Sequence, residues 1–330
     1  MKKKLLAALL AGAMCVSLCA CGGTSDETTE PAEDTAAATY TVGICQLVEH
    51  VALDAATQGF QDALNDILGE GTVTFDLQNA QNDSNTCSTI INGFVSGNVD
   101  LILANATPAL QAAAAGTADI PILGTSVTEY GVALELDDFS GTVGGNISGT
   151  SDLAPLDEQA AMLQEWFPDA QNVGLLYCSA EANSQYQVDV VKAELEALGY
   201  TCELYAFSDS NDLSAVCSSA AAACDVIYVP TDNTVAANTG IIDNICRPAK
   251  VPVIAGEEGI CSGCGVATLS ISYYDLGYTT GEMAAAILTG EADISTMAIE
   301  YTTVTKKYNQ AIVDELGLTV PEGYAAIEIG

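Results

Sequence analysis

The sequence predicts an α/β protein built as two Rossmann-like lobes, each with a parallel sheet, joined by a hinge that the chain crosses more than once. Three observations predict it. From Thr39 onward, runs rich in Val, Ile, Leu and Tyr alternate with helix-length stretches rich in Ala, Leu, Gln and Asp, the rhythm of βαβ units. The rhythm occurs twice: Val42-Gly43-Ile44 is echoed by Val173-Gly174-Leu175, the run from Asp100 by the run from Asp225, and Asp119-Ile-Pro-Ile by Lys250-Val-Pro-Val, at offsets of 131, 125 and 131 residues. Finally, 330 residues with 49% hydrophobic content supply enough apolar material for two cores.

In chain order, Lys2, Lys3 and Lys4 precede an apolar stretch from Leu5 to Leu18 that is too short for an ordinary spanning helix and reads as a signal peptide, residues 1–20. Its end, Leu18-Cys19-Ala20-Cys21-Gly22, resembles a bacterial lipobox, which implies that Cys21 is lipidated and becomes the first mature residue. Residues 22–38 are Gly, Thr, Ser, Glu, Asp, Ala and Pro without apolar periodicity, the composition of a solvated tether. Strands are predicted at Tyr40–Gln46, Val73–Gln78, Asp100–Ala104 and Ile120–Gly124, then at Asn172–Cys178, Thr201–Phe207, Asp225–Val229 and Val251–Ala255. The link from Leu134 to Leu153 is rich in Gly, Ser, Thr and Asp and reads as the hinge, and the amphipathic stretch from Tyr274 to Leu288 as a helix returning to the first lobe. The first lobe is thus expected at 39–137 with about 273–297, and the second at about 148–268 with 298–330.

Charge and cysteine usage narrow the function classes. Eight Lys and Arg against 44 Asp and Glu give a net charge of -36, and loss of residues 1–20 leaves five cations against the same acids. Such a surface repels phosphate backbones and anionic headgroups, so no nucleic-acid partner is expected, and the solute sought is neutral or carries a cation. Three of the twelve cysteines fall in the signal region, and the rest are scattered through apolar segments, unlike a stapled miniature domain. Cys261-Ser-Gly-Cys264 is the one redox-like or metal-like spacing; it lacks the further ligands a metal needs and reads as a disulfide or a pair of loop thiols. His50 is the only histidine, so no metal site and no cofactor are expected.

The lipobox, the acidic tether, the duplicated halves and the strings NAQND, ANATPAL, PILGTSVTEYG, SGTSDL, PTDNTVAAN and GEEG resemble the solute-binding lipoproteins of ABC importers, in particular the TrpX-like, tryptophan-or-tyrosine type with a type I periplasmic-binding fold. The resemblance covers nearly all of 40–330. It implies an extracytoplasmic, lipid-anchored monomer that captures a small solute for the transmembrane subunits of an ABC permease and catalyses no reaction.

Ligands of open parallel sheets sit beyond the carboxyl ends of the strands, so two such sets of loops should face one another across a cleft. The first half contributes Gln46 and His50, Asn105 and Thr107, and Ser126, Val127 and Thr128; the second contributes Glu181, Asn183 and Ser184, Asp232 and Asn233, and Glu257. Thr107-Pro108 reads as an N-cap followed by a first helical position, whose amides attract a carboxylate, although capping alone accounts for the threonine equally well. Acids directly after buried strands can hold an ammonium group, with Asp232 the first choice; solvated loop acids are the plainer reading of any single one. His50, Tyr130 and Tyr273 are candidate packing surfaces for a planar body, and Trp166 is expected in the core. A small zwitterion, an aromatic amino acid above all, would satisfy both halves. A sugar or nucleoside receptor of the same fold, and a sensor subunit, stay open beside it.

Overall fold

The computed structural model describes residues 39–328; the expected signal peptide, Cys21 and the tether lie outside the described residues. The first lobe runs β1 (Tyr40–Gln46), α1 (Val51–Leu68), β2 (Val73–Asn79), α2 (Ser84–Gly97), β3 (Leu101–Asn105), α3 (Thr107–Gly116), β4 (Ile122–Val127), the short α4 (Tyr130–Ala133) and β5 (Ile147–Ser151). The second runs α5 (Leu156–Trp166), β6 (Asn172–Cys178), α6 (Ala182–Ala197), β7 (Thr201–Phe207), α7 (Ser210–Ala223), β8 (Val226–Val229), the short α8 (Asn233–Ala236), α9 (Thr239–Ala249), β9 (Val253–Ala255), α10 (Glu258–Cys264) and β10 (Ala267–Ser270). Helix α11 (Tyr273–Leu288) then returns to the first lobe, where β11 (Glu300–Tyr301) follows it, before β12 (Thr305–Tyr308), α12 (Gln310–Leu316) and β13 (Ala325–Ala326) close the second.

The duplication read from sequence is a duplication of topology. One sheet is ordered β11-β5-β4-β3-β1-β2 and the other β13-β12-β10-β9-β8-β6-β7, so both halves share the order 2-1-3-4-5, all parallel except that β12 pairs antiparallel with β10. The echoed aspartates do the same work in each: Asp100 Oδ2 accepts the Thr41 amide at 2.7 Å, and Asp225 Oδ2 accepts the Gln171 and Asn172 amides at 2.9 Å. Each carboxylate thereby satisfies amides at the start of the neighbouring strand that the ladder leaves unpaired.

Alternation along the strands sends side chains to both faces of each sheet, and helices cover both. In the first lobe, Val42, Ile44 and Leu103 pack with Phe60, Leu64 and Met283 of α1 and α11, whereas Cys45, Ile102 and Ile122 pack with Ile91, Phe94 and Leu110 of α2 and α3. In the second, Val173, Leu175 and Tyr228 meet Leu163, Trp166, Val188 and Ile312, and Leu176, Ile227 and Val229 meet Leu213, Ile242 and Ile260.

The link differs from expectation. Its last part is a strand: Ile147–Ser151 pairs with β4 inside the first sheet, and β11 pairs with β5, so 147–151 and 300–301 belong to the first lobe, not the second. The reason is local. Gly149 adopts φ 145°, and a Cβ there would stand 2.1 Å from the Gly124 carbonyl oxygen, so this strand needs a residue that sequence scales score against strands. Likewise 267–270, expected to be leaving the second half near Leu269, is the inner strand β10. Three crossings join the lobes, at 152–155, 271–272 and 302–304.

Candidate functional site

Four of the first lobe's non-glycine residues with positive φ lie at the carboxyl ends of β2, β3 and β4. Gln81 and Asn82 after β2, Ala106 after β3 and Ser126 within β4 all have φ between 54° and 93°, and Ser126 marks a register shift in the β4–β5 ladder between Gly124 and Val127. Non-glycine residues take these values only where the surroundings enforce them, commonly at binding sites. Thr107 is not the N-cap of its helix: α3 begins at Thr107 itself, and Ala106, at φ 93°, occupies the cap without a side chain to offer. The first amides of α3 are therefore left without a capping side chain, and Ser126 Oγ, buried on the adjacent strand, has no hydrogen-bond partner.

Across the cleft the second lobe presents buried carboxylates. Asp232 caps α8, its Oδ1 accepting the Val235 amide at 2.9 Å and its Oδ2 the Cys178 amide at 2.7 Å. Burial, and after it the charge of Glu181, push its carboxyl up to about 8, against the pull of those two amides. Glu257 caps α10 through the Gly259 amide at 2.6 Å and the Ile260 amide, and burial pushes it up to about 7. Glu181 reaches away from its own helix to accept the amides and side chains of Asn233 and Thr234 at 2.7 to 3.0 Å.

The lobes touch. His50, at the N-cap of α1, approaches Asn233 Oδ1 through Nε2 at 3.4 Å, and Asn82 donates to Thr234 Oγ1 at 3.0 Å. A narrow cavity of about 10 Å³ lies between them, lined by His50 and Leu53 from the first lobe, Asp232, Asn233, Ala236 and Glu257 from the second, and Asp152 and Tyr273 beside the crossings. A second space of about 90 Å³ brings Leu47, Asn82 and Pro108 opposite Cys178, Glu181 and Thr234. The two sets of post-strand loops thus confront each other. No Lys or Arg among the described residues lines either space.

The expected site residues divide into three groups. His50, Asp232, Asn233 and Glu257 line the interlobe cavity, and Glu181 lines the second space, where Pro108 places the start of α3. Asn183 and Ser184 are buried behind them: Asn183 donates to the Thr231 carbonyl at 3.0 Å and leaves its Oδ1 unpartnered, and Ser184 steadies Asp232. Others brace the lobe and stay out of the cavity. Gln46 bridges Asp54 and Thr57 at 2.6 Å within the first lobe; Asn105 donates to the Leu53 carbonyl and to Thr57 at 2.9 Å; Val127 is core; and Thr128 offers its carbonyl to Ser151 at 2.8 Å. Tyr130 is fully packed, its hydroxyl on the Thr150 carbonyl at 3.0 Å, whereas Tyr273 does line the cavity. Trp166 packs against Tyr308 and Tyr324 in the second core. Cys261 and Cys264, expected on a loop, lie on α10, buried and unbonded.

Sequence reasoning missed Asp152. It falls in SGTSDL, inside what reads as a glycine-rich link, and only the strand at 147–151 shows it as another acid directly following one.

A family model described as ABC transporter substrate binding protein matches residues 41–327. The chain is 36% identical over 312 residues to a protein named Tyrosine-binding protein of Clostridioides difficile (strain R20291), covering 92% of this chain and 89% of that one. Among solved structures, it is similar to an ABC domain from Streptococcus pneumonia in complex with L-Trp, at 30% identity and a TM-score of 0.83 over 88% of this chain and 100% of the other. It is also similar to the ligand-free, open structure of a substrate binding protein with adhesive properties from Clostridium difficile, at 38% identity and a TM-score of 0.67, again over 88% and 100%. Contacts of His50 with Asn233 and of Asn82 with Thr234 hold the two lobes together across the cleft.

Proposed function

From the premise that this chain belongs to the ABC transporter substrate-binding protein family, with the type I two-lobe fold of its structural neighbours, we propose that it captures an aromatic amino acid between its lobes, outside the cytoplasm, and presents it to the permease of an importer. The observation that supports this best is the charge of the cavity. Acids line it, three of them raised by burial, and no Lys or Arg among the described residues lines it, so it is suited to receive a positive group from the solute. The start of α3 and the unpartnered Ser126 hydroxyl offer donors for the opposite, carboxylate end. Leu53, Ala236, the His50 ring and the Tyr273 ring supply apolar flanks for a planar side chain. The names of the relatives, tyrosine-binding and in complex with L-Trp, point to the same class. The proposal includes no chemical reaction, because closure alone discriminates: a solute favours the closed state only by the contacts it makes with both lobes together.

A thermal-shift panel of amino acids, nucleosides and sugars on the purified, solute-stripped protein tests the reading. L-Tyrosine or L-tryptophan at a hundredfold its dissociation constant should stabilise the fold by about 2.7 kcal/mol and raise the melting point by about 5 to 10 °C. A shift from sugars or nucleosides alone sinks it. The reading also holds Cys21 to be the lipid anchor: Cys21→Ser should move the protein from the membrane fraction to the medium, and unchanged partitioning refutes anchoring there.

A further inference from the structure

The buried acids at the cleft are not equivalent. Glu181 accepts from Asn233 and Thr234 through both oxygens, and Asp232 and Glu257 each spend both oxygens on backbone amides. These three are employed by the fold. Asp152 is employed by half. Its Oδ2 accepts the Tyr273 hydroxyl at 2.9 Å, the Thr128 hydroxyl also reaches the carboxylate, and Oδ1 makes no hydrogen bond of good geometry although the residue is only 5% exposed and lines the cavity. A buried acceptor left without a donor is costly, and each such atom in a native fold calls for an explanation, a bound water, ion or ligand among them.

Its place in the chain adds to this. Asp152 opens the first crossing between the lobes, directly after β5, and Tyr273 stands at the end of the second crossing as the first residue of α11, so one hydrogen bond ties two of the three crossings together. Asp152 and Tyr273 thus belong to the hinge more than to either lobe's binding loops.

Building on the amino-acid reading, we propose that Asp152 receives the ammonium group of the solute on Oδ1, with Tyr273 as the positioning residue that turns the carboxylate toward the cavity. The charged end of the solute is then held at the hinge, and the post-strand loops of the two lobes close on the rest. A charge-assisted bond from an ammonium satisfies the idle oxygen, and a solute of the same shape lacking the amine leaves it bare. Asp152 therefore selects amines over their des-amino counterparts.

Calorimetry on wild type, Asp152→Asn and Tyr273→Phe with L-tyrosine, L-tryptophan, 3-(4-hydroxyphenyl)propionate and indole-3-propionate tests this, with melting curves of each variant alongside. Asparagine keeps the size of the side chain and still accepts from Tyr273 through its amide oxygen, but it turns an NH2 group to the ammonium. Wild type should prefer the amino acids about a hundredfold, the scale of a lost charged hydrogen bond. Asp152→Asn should lose about a hundredfold for the amino acids with little change for the des-amino acids, bringing the ratio near one. Tyr273→Phe should lose about tenfold with the same narrowing of the ratio. Should Asp152→Asn fail to fold, the ratio in Tyr273→Phe decides. Amino-acid affinity within threefold of wild type in Asp152→Asn, or an unchanged ratio in Tyr273→Phe, overturns the assignment while leaving the function standing. A wild type that binds no amino acid refutes both.

Discussion

Gly277→Ala should destabilise the protein by about 3 kcal/mol and lower its melting point by roughly 6 to 12 °C, an effect out of scale with one methyl group. Helices α1 and α11 approach so closely that glycines on both form the seam. A Cβ at Gly277 would stand 1.9 Å from the Ala56 carbonyl oxygen, one at Gly59 2.1 Å from the Tyr274 carbonyl oxygen, and one at Gly281 2.6 Å from Ala63 Cβ. The obstacle at Gly277 is backbone, so no rotamer change relieves it, and the helices must separate along the contact that Ala52, Ala56 and Leu276 bury. Against this stands the better helix propensity of alanine, worth about 1 kcal/mol. The steric cost is the larger one here. The same substitution at Gly93, on the exposed side of α2, meets nothing within 4 Å, and there propensity acts alone; Gly93→Ala should stabilise by up to about 1 kcal/mol. Urea unfolding of both variants measures the contrast, and equal effects of the same sign would show that the α1–α11 seam yields easily. Because α11 begins at Tyr273, opening the seam should also disturb the cavity wall.

Hydrophobic patterning carried much of the architecture. Strands Tyr40–Gln46, Asn172–Cys178 and Thr201–Phe207 have the bounds that Val, Ile, Leu and Tyr content gives them, and the internal echo of Asp100 by Asp225 proved to be an echo of structural role. What stayed hidden was structure that works against propensity. Ile147–Ser151 is a strand because Gly149 lets two backbones meet, and Thr305–Tyr308 is an antiparallel strand whose Lys306 and Lys307 point to Glu165 and Glu258, a pattern with no apolar run to reveal it. The site was legible to the same degree. Acids following strands could be named as cleft residues from order alone, and Asp232, Glu257 and Glu181 do face the cleft. That Asp232 and Glu257 cap the next helix, and that Asp152 alone keeps an idle oxygen, depends on hydrogen-bond directions that linear order does not encode.

Those same acids make the empty protein most stable at acidic pH, which is the largest effect expected of it. Burial holds Asp232 up to about 8 and Glu257 up to about 7, and raises Asp152 as well, with the hydroxyls of Tyr273 and Thr128 opposing the last. Unfolded, these groups titrate near 4. A carboxyl that holds its proton more tightly when folded stabilises the fold while protonated, and that stability drains away as pH climbs from about 4 to about 8 and changes no further above it. At about 1.4 kcal/mol for each tenfold gain in proton affinity, the loss for Asp232 and Glu257 together has an upper bound of about 9 kcal/mol, which relaxation of the site reduces. His50 acts in the other sense: burial lowers its pKa, so its contribution is present above 6.5 and is lost as pH falls, which sets the acidic edge of the optimum. Glu181 also faces Asp232 and adds to the cost of its ionisation, and the charge of Asp232 in turn helps to raise the Cys178 thiol. Melting curves from pH 4 to 9 on solute-stripped protein should therefore peak near pH 5 and fall toward 8; a melting point that rises steadily from 5 to 8 contradicts the buried-acid account. An ammonium in the cavity reverses the balance by pulling these carboxyls down, so capture of the solute at pH 7 should expel about one proton, and by pH 9, where these carboxyls are already ionised and the solute's own amine has begun to lose its proton, the release should give way to uptake. Titration calorimetry in phosphate and in Tris separates the two cases through their different heats of protonation. Buffer-independent heats at pH 7 would mean that the solute brings no positive charge to these acids.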